Sequence, residues 1–158
     1  MIRNPVTPEG FAALDKELRH HKSVTRPGIV RDIEEARAHG DISENSEYED
    51  AKERQAMCDG RIRLLESRVA SAEVIDVTKL EPSDRVVFGT TVVIENCDSG
   101  DERTWRIVGE DQADVGKGTI SFKSPLGRAL IGRNEGDDVQ VPAPGGQQTW
   151  EILEVRYE

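Results

Sequence analysis

The chain has 158 residues, enough for one ordinary domain or for an extended element beside a small globular one. Its formal net charge of −10 argues against a general nucleic-acid binder, because binding phosphates needs clustered lysine and arginine. Two cysteines argue against a disulfide framework, and neither a membrane span nor the apolar core of a signal peptide is present. We therefore expect a cytoplasmic protein with reduced thiols and no membrane contact.

The amino-acid composition changes near residues 78–83. Residues 1–77 are rich in charged and helix-forming types at helical spacing, whereas residues after about 82 show short Val- and Ile-rich runs broken by turn residues. The sequence therefore predicts an α+β protein, with a helical domain over 1–77 and a sheet-containing domain over 80–158.

Two apolar stripes in the first domain predict an antiparallel coiled-coil hairpin. The downstream stripe repeats at spacings of three and four, as in a heptad seam, and the upstream stripe is less regular. We expect a kink near Pro27, because proline removes an amide donor. Arms of roughly thirty residues would be about 45 Å long. The stripe residues are Phe11, Leu14, Leu18, Ile29, Ile33 and Ala36 upstream, and Tyr48, Ala51, Gln55, Cys58, Ile62, Leu65, Val69 and Ala72 downstream.

The segment between the two predicted arms concentrates carboxylates. Asp41, Glu44 and Glu47 fall where the helices should meet. One explanation is structural: Ser46 and Glu49 form a capping-box pattern, and acids near a helix start are stabilised by about 0.3–1 kcal/mol each. That explanation does not account for three mutually repelling acids at one tip, unless a cation or a basic partner meets them there.

The second domain reads as a sheet with one short helix. Ser124 suits the N-cap of a helix over 124–131, Pro125 suits its first position, and Gly132 suits its end. Runs of β-branched and apolar residues between turn residues predict the strands. The predicted strands cover 85–88, 91–96, 104–108, 138–141 and 149–157.

The tip motif resembles that of a known family, the bacterial transcript cleavage factors of the GreA/GreB family. The likeness continues in the family's order through residues 51–55, 60–62, 74–77, 107–109, 124–132 and 144–146, so that it covers nearly the whole chain. A mild departure is Gln112, where the family usually has an acid. The motif itself reads Gly40-Asp41-x-x-Glu44-Asn45-x-Glu47-Tyr48.

The resemblance implies a fold and a function. The hairpin would be followed by an FKBP-like domain that docks on RNA polymerase, and the protein would be a transcription elongation factor and a monomer. It would enter the secondary channel and stimulate the polymerase's own Mg²⁺-dependent cleavage of backtracked RNA, without being an enzyme itself. The acidic total leaves little room for an extended basic patch, which favours the GreA branch over GreB.

The resemblance also implies roles for individual residues. Asp41 and Glu44 match the family's acidic pair and would complete a second Mg²⁺ site only within the polymerase complex, with Glu47 supporting the loop. No cofactor would be bound tightly by the free protein. Arg37 and Lys52, at similar heights on opposite arms, are candidates for contact with the 3′ end of the nascent RNA. The alternative for these two is ordinary pairing on the helix surfaces, with Asp41 and Glu49 respectively.

Two other functions stay open. A Gre-like inhibitor would keep the same architecture and use the tip acids to block the channel or to chelate the catalytic metal. A prolyl isomerase in the second domain would need an aromatic-lined pocket. The available aromatic residues are few and scattered along the sequence: Phe88, Trp105, Phe122 and Trp150.

Overall fold

The computed structural model describes residues 3–39 and 46–158. They form two compact units. The hairpin unit contains Phe11–Ala72, and the sheet unit combines Arg3–Gly10 with Glu73–Glu158. Residues 3–10 therefore pack with the sheet unit, although they precede the hairpin in the chain.

The first arm of the hairpin contains a π-helical segment. Helix α1 spans Pro8–His20, the π-helical segment spans His21–Thr25, and helix α2 spans Arg26–Ala38. At the end of this segment the Arg26 amide donates to the His21 carbonyl, five residues back. Pro27 follows in the first turn of α2 and has no amide to donate. The irregularity expected at Pro27 is thus a π-helical segment directly before it.

The second arm is one continuous helix. Helix α3 spans Ser46–Ser71, and its 26 residues correspond to about 39 Å. Ion pairs across the arms show the antiparallel arrangement, since partner numbers fall along α3 as they rise along α2. These pairs are Arg26–Asp59 at 3.3 Å, Asp32–Arg54 at 3.1 Å and His39–Glu47 at 3.3 Å.

The predicted seam holds the two arms together. Ile62 and Leu65, in the middle of α3, are both 1 % exposed. Three residues of the predicted stripes, Phe11, Gln55 and Ala72, are only half-buried and lie outside the buried cluster. The cluster comprises Leu14, Leu18, Ile29, Ile33, Ala51, Cys58, Ile62 and Leu65, with Tyr48 and Val69 packed against it. The helical hairpin is therefore confirmed.

The sheet unit is built on a five-stranded sheet. Its strands are β3 Thr91–Asn96, β4 Glu102–Val108, β5 Thr119–Ser121, β6 Asp138–Ala143 and β7 Gly146–Arg156. Their order across the sheet is β5-β4-β3-β7-β6. Neighbouring strands are antiparallel except β4 and β5, which are parallel. The predicted short helix is present as α4, Pro125–Leu130, and the Ser124 hydroxyl accepts from the Gly127 amide at 3.0 Å.

Three elements of this unit differ from the sequence prediction. Residues 85–88 are not a strand: Arg85 makes only an isolated bridge with Asn134, while Val86 and Phe88 are buried in the core. The apolar run there fills the core rather than extending the sheet. Strand β5 was not predicted, and neither was the two-stranded sheet of β1, Asn4–Val6, with β2, Ala72–Val74.

The start of α1 is capped by a distant side chain. The Thr7 hydroxyl accepts from the Gly10 amide at 3.1 Å, as an N-cap does. The Gln112 side chain accepts from the Thr7 amide at 3.2 Å and donates to the Thr7 hydroxyl at 2.6 Å. In a capping box, the side chain of the third helical residue accepts from the amide of the N-cap residue. Here the third helical residue is Gly10, which has no side chain, and a Cβ at this position would overlap the Gln112 side-chain amide. Gln112 thus completes the cap from 105 residues away.

Candidate functional site at the end of the hairpin

The two predicted metal ligands, Asp41 and Glu44, lie outside the described residues, together with the rest of 40–45. Their assignment as metal ligands therefore stays a prediction. The described residues on either side are the ends of the two arms, since α2 ends at Ala38 and α3 begins at Ser46.

Glu47, predicted to support the loop, contacts the opposite arm. Its Oε2 lies 3.3 Å from Nδ1 of His39, and both side chains are largely exposed. When the imidazole is protonated this contact is an ion pair that joins the last described residue of the first arm to the first turn of α3. His39 was not among the predicted site residues. The sequence signal for this contact was the position of His39 just before the acidic segment, as Glu47 stands just after it.

Arg37 lies beside an aromatic ring of the other arm. Its guanidinium carbon is 6.0 Å from the centroid of the Tyr48 ring, a distance at which the ring face attracts a cation. Tyr48 itself packs against the buried seam. The contact fixes the stem of Arg37 against the hairpin, while the side chain stays on the exposed surface.

Lys52 makes a different local contact from the one considered in the sequence. Its ammonium donates to Gln55 Oε1 at 3.4 Å on the same helix, rather than to Glu49. The cross-arm pairs place Arg37 opposite residue 49 of α3. Lys52 lies three residues beyond that level, about 4.5 Å farther from the tip along the helix. The two cations are close in height, as expected, and Lys52 is the farther of the two from the tip.

Arg54 connects two carboxylates next to this region. Its guanidinium lies 3.1 Å from Asp32 on α2 and 3.2 Å from Asp50 on α3. The hydrogen bond to Asp32, with further support from Asp50, raises the pKa of Arg54. Because the groups are about half exposed, the bridge contributes to the alignment of the arms more than to stability.

The electrostatics of the arm ends are acidic. Residues 31–39 and 46–54 contain seven carboxylates but only four lysines and arginines. Over 3–39 and 46–158, no group of three or more His, Cys, Asp or Glu side chains is arranged to hold a metal ion. The arm ends thus concentrate negative charge without forming a complete metal site from described residues.

The aromatic residues of the sheet unit are not scattered in space, contrary to their appearance in the sequence. Phe88 and Phe122 pack edge to face with their centroids 5.8 Å apart, at the core. Trp105 and Trp150 both line one pocket. Their position at one pocket could not be read from the sequence, because the two tryptophans belong to different strands.

Comparison with known proteins identifies the family. A family model described as "Transcription elongation factor, N-terminal" matches residues 4–74, and one described as "Transcription elongation factor, GreA/GreB, C-term" matches residues 81–157. The chain belongs to the GreA/GreB family. The resemblance inferred from the tip motif is therefore confirmed, and with it the function of a transcription elongation factor.

Individual members of the GreA/GreB family are similar over their full length. The transcription elongation factor GreA of Ruegeria pomeroyi is 51 % identical over 157 residues, covering 99 % of each chain. That of Anaeromyxobacter sp. (strain K) is 57 % identical over 157 residues, covering 99 % of this chain and 94 % of the other. A GreA/GreB structure from Nitrosomonas europaea is 23 % identical, covers 99 % of this chain and 100 % of the other, and has a TM-score of 0.44.

The described helices include none that could cross a membrane. No helix within 3–39 or 46–158 has a window long and apolar enough for a span.

Proposed function

We propose that this elongation factor inserts its hairpin into the secondary channel of RNA polymerase and stimulates the polymerase's own cleavage of backtracked RNA. The observation that carries the proposal is the match of both family models, which together extend from residue 4 to residue 157. The antiparallel arms agree with it, because they end together on either side of the acidic segment. The polymerase is then the catalyst, and this chain, acting as a monomer docked through its sheet unit, is the activator.

The acidic pair supplies the chemistry that the hairpin delivers. In phosphodiester hydrolysis, two metal ions about 4 Å apart stabilise the attacking and leaving oxygens. Mg²⁺ is commonly held by one or two carboxylates, with water and phosphate completing its shell. Asp41 and Glu44 fit that donor set and would hold an ion shared with the polymerase. Two acids are too few ligands for a tight site, so the free protein has no resident cofactor and no nuclease activity.

Glu47 and the two cations have supporting roles. The contact between Glu47 and His39 holds the ends of the arms together, so that the acids are presented on a fixed base. Arg37 and Lys52 remain on the exposed surface and face the 3′ segment of the transcript, whose phosphates attract them.

A cleavage assay tests the proposal. Purified protein is added to a stalled elongation complex whose RNA is labelled at its 3′ end, and short labelled fragments are expected. Asp41→Asn and Glu44→Gln keep shape but remove charge, so each should lower stimulated cleavage by about 100-fold or more, the scale of losing a group that stabilises transition-state charge. Polymerase binding, measured separately, should be unchanged.

Glu53→Gln is the matched control. It removes the same charge from an exposed position on α3, close to the tip and outside the acidic pair. Wild-type cleavage by the Asp41 and Glu44 variants would contradict the metal role. Binding of the wild-type protein without any cleavage would instead identify the Gre-like inhibitor. Loss of cleavage in the Glu53 variant would show that total tip charge, rather than the pair, is what matters.

A further inference from the structure

A groove runs between the two arms on one face of the hairpin unit. It has a volume of about 1080 Å³ and is lined by the π-helical segment, the start of α2 and the middle of α3. Three large apolar side chains line it and remain exposed: Val24 is 55 % exposed, Met57 70 % and Leu64 42 %. Single exposed apolar residues are ordinary on protein surfaces, but three that share one groove form a candidate interaction surface. We call it the hairpin groove.

Two glycines, one on each arm, also line the hairpin groove. Gly28 lies in α2 and Gly60 in α3, although glycine is among the least favourable residues within a helix. Packing inside the hairpin does not require them. Beyond the backbone of its own helix, a Cβ at Gly28 would meet the Arg31 guanidinium at 3.8 Å, and one at Gly60 the Arg63 guanidinium at 3.9 Å, which are ordinary contacts. Glycine at both positions instead leaves room for the backbone of another molecule to come close.

The hairpin groove has the dimensions to hold one helix. On α3 its residues Met57, Gly60 and Leu64 recur at spacings of three and four, so they share one face of the helix. From Met57 to Leu64 this face extends about 10 Å, or two turns. The cross-arm ion pairs place Gly28 at the level of this stretch on the facing arm. A helix that lies between the arms would therefore contact both of them with one apolar stripe.

The part of the hairpin that carries the groove is basic, in contrast to the chain as a whole. Residues 16–31 and 54–68 contain nine lysines and arginines but three carboxylates, whereas the whole chain has 21 and 31. Several of these cations are already in ion pairs within the hairpin. Arg31 and Arg63, beside the two glycines, are exposed and have no ion-pair partner within the described part of the chain. Both are therefore available to an acidic partner.

We propose that the hairpin groove binds an amphipathic α-helix of a partner protein, in which carboxylates flank the apolar stripe. The stripe covers Met57 and Leu64, the backbone of the helix passes over the two glycines, and the carboxylates pair with Arg31 and Arg63. This inference goes beyond the cleavage function and does not depend on the acidic tip.

A single-stranded nucleic acid would also bring negative charge to these arginines. Proteins commonly hold such strands on aromatic side chains, on which the bases stack. Among the described residues that line the hairpin groove, none is Phe, Tyr or Trp. The lining is aliphatic instead, as for a groove that receives leucine-like side chains. The combination of an aliphatic lining with two unpaired cations thus favours an acidic helix.

The test uses the purified full-length protein without polymerase. The probe is the peptide Ala-Glu-Leu-Ala-Glu-Leu-Glu-Ala-Glu-Leu-Ala-Ala-Leu-Glu-Ala-Glu-amide, which carries a fluorophore at its N-terminus, and a saturable rise in fluorescence anisotropy is expected. A second peptide with glutamine for every glutamate keeps the stripe without the charge. A third with alanine for every leucine keeps the charge without the stripe. Each of these two should bind at least about 10-fold more weakly than the first.

Gly60→Gln separates binding from folding. Glutamine suits a helix better than glycine, so the melting temperature should rise. The new side chain also occupies the hairpin groove and should weaken the acidic peptide by about 10-fold or more. A purely structural role for Gly60 would not combine higher stability with weaker binding. Ala56→Gln puts the same side chain at an exposed position of α3 outside the groove, and this matched control should bind as wild type does.

A charge variant tests the two unpaired arginines. The double change Arg31→Gln with Arg63→Gln should weaken the acidic peptide by about 10-fold or more and leave the glutamine peptide unaffected. Lys16→Gln with Lys79→Gln removes the same charge from exposed positions outside the groove. This matched control should bind both peptides as wild type does.

Four outcomes would overturn the inference. One is the absence of a saturable anisotropy change with the acidic peptide at concentrations up to about 1 mM. Another is wild-type binding by Gly60→Gln or equal binding of the three peptides. A third is tighter binding of a labelled single-stranded RNA that Gly60→Gln weakens, which would assign the groove to nucleic acid. The fourth is a dimer in analytical ultracentrifugation that Gly60→Gln abolishes, which would assign it to a second copy of the chain.

Discussion

The hairpin unit and the sheet unit bury their apolar residues in different geometries. The hairpin has a narrow seam between two arms, whereas the sheet unit gathers residues from its strands, α4 and the segment before β3 into one core. A seam residue contacts only the facing arm, while a core residue contacts several elements at once. A defect in the hairpin should therefore act locally along the rod, and a defect in the sheet unit should spread through it.

The largest effect is expected from a cavity in the seam. Leu65 is 1 % exposed, so Leu65→Ala should lower the free energy of unfolding by about 2–5 kcal/mol. Because the tryptophans belong to the sheet unit, the loss should appear in the helical circular dichroism signal at lower denaturant than in tryptophan emission. Stimulated cleavage should fall as well, through poor placement of the tip.

The neighbouring leucine is the matched control. Leu64 is 42 % exposed, and Leu64→Ala should change stability by less than about 0.5 kcal/mol. Equal losses for the two leucines would place the seam elsewhere. Simultaneous loss of both spectroscopic signals in Leu65→Ala would show that the hairpin defect is not local, and the contrast between the units would fail.

A smaller effect, with a change of sign, is expected at the cap of α1. Gln112→Ala leaves the fully buried Thr7 amide without its acceptor, at a cost of about 1–3 kcal/mol in stability. Gly10→Ala should also destabilise the wild type, because the new Cβ overlaps the Gln112 amide. In the Gln112→Ala background the same change should stabilise the protein by about 0.5–1 kcal/mol, since alanine suits a helix better than glycine.

A double-mutant cycle in urea measures this coupling between residues 10 and 112. Additive effects of the two changes would show that Gln112 does not complete the cap. Thr7, Gly10 and Gln112 all belong to the sheet unit, so the cycle also measures how tightly the parts of that unit are coupled.

The smallest effect is expected at the exposed ion pairs of the hairpin. Arg54→Ala removes contacts to Asp32 and Asp50 on a half-exposed surface, so we expect a loss of stability much smaller than that of Leu65→Ala. The difference should shrink between about 0.05 and 0.5 M salt, because screening weakens such pairs. Thermal melts at the two salt concentrations measure it. A loss as large as that of Leu65→Ala would show that charge, rather than the seam, holds the arms together.

The hairpin could be predicted from the sequence because its signal is repeated. A helical period over the 26 residues of α3 restates the same seam several times, so Ala51, Cys58, Ile62 and Leu65 were all found. The π-helical segment left no comparable signal, since a proline marks a break without specifying its form. The acidic pair is predicted from its motif alone, whereas the contact between His39 and Glu47 needs the register of the arms.

The sheet unit was less predictable because its contacts are distant in sequence. Strand β5 has three residues, too few for a visible alternation. Strands β1 and β2 pair although the hairpin separates them in the sequence. The apolar run at 85–88 has a strand's composition but is used to fill the core. The role of Gln112 and the presence of both tryptophans at one pocket depend on a tertiary arrangement that local pattern does not encode.

The carboxylates on the face of the sheet that carries Cys97 have a consequence for thiol reactivity. Cys97 is exposed, yet burial of its sulfur and the surrounding negative charge raise the pKa of its thiol. Only the thiolate attacks peroxides, disulfides and alkylating reagents, and each unit of raised pKa lowers the thiolate fraction about tenfold at neutral pH. The surface thiol is therefore slow to oxidise, while Cys58 is shielded within the seam. The acidic surroundings thus lower the reactivity of the exposed thiol toward oxidants and disulfides.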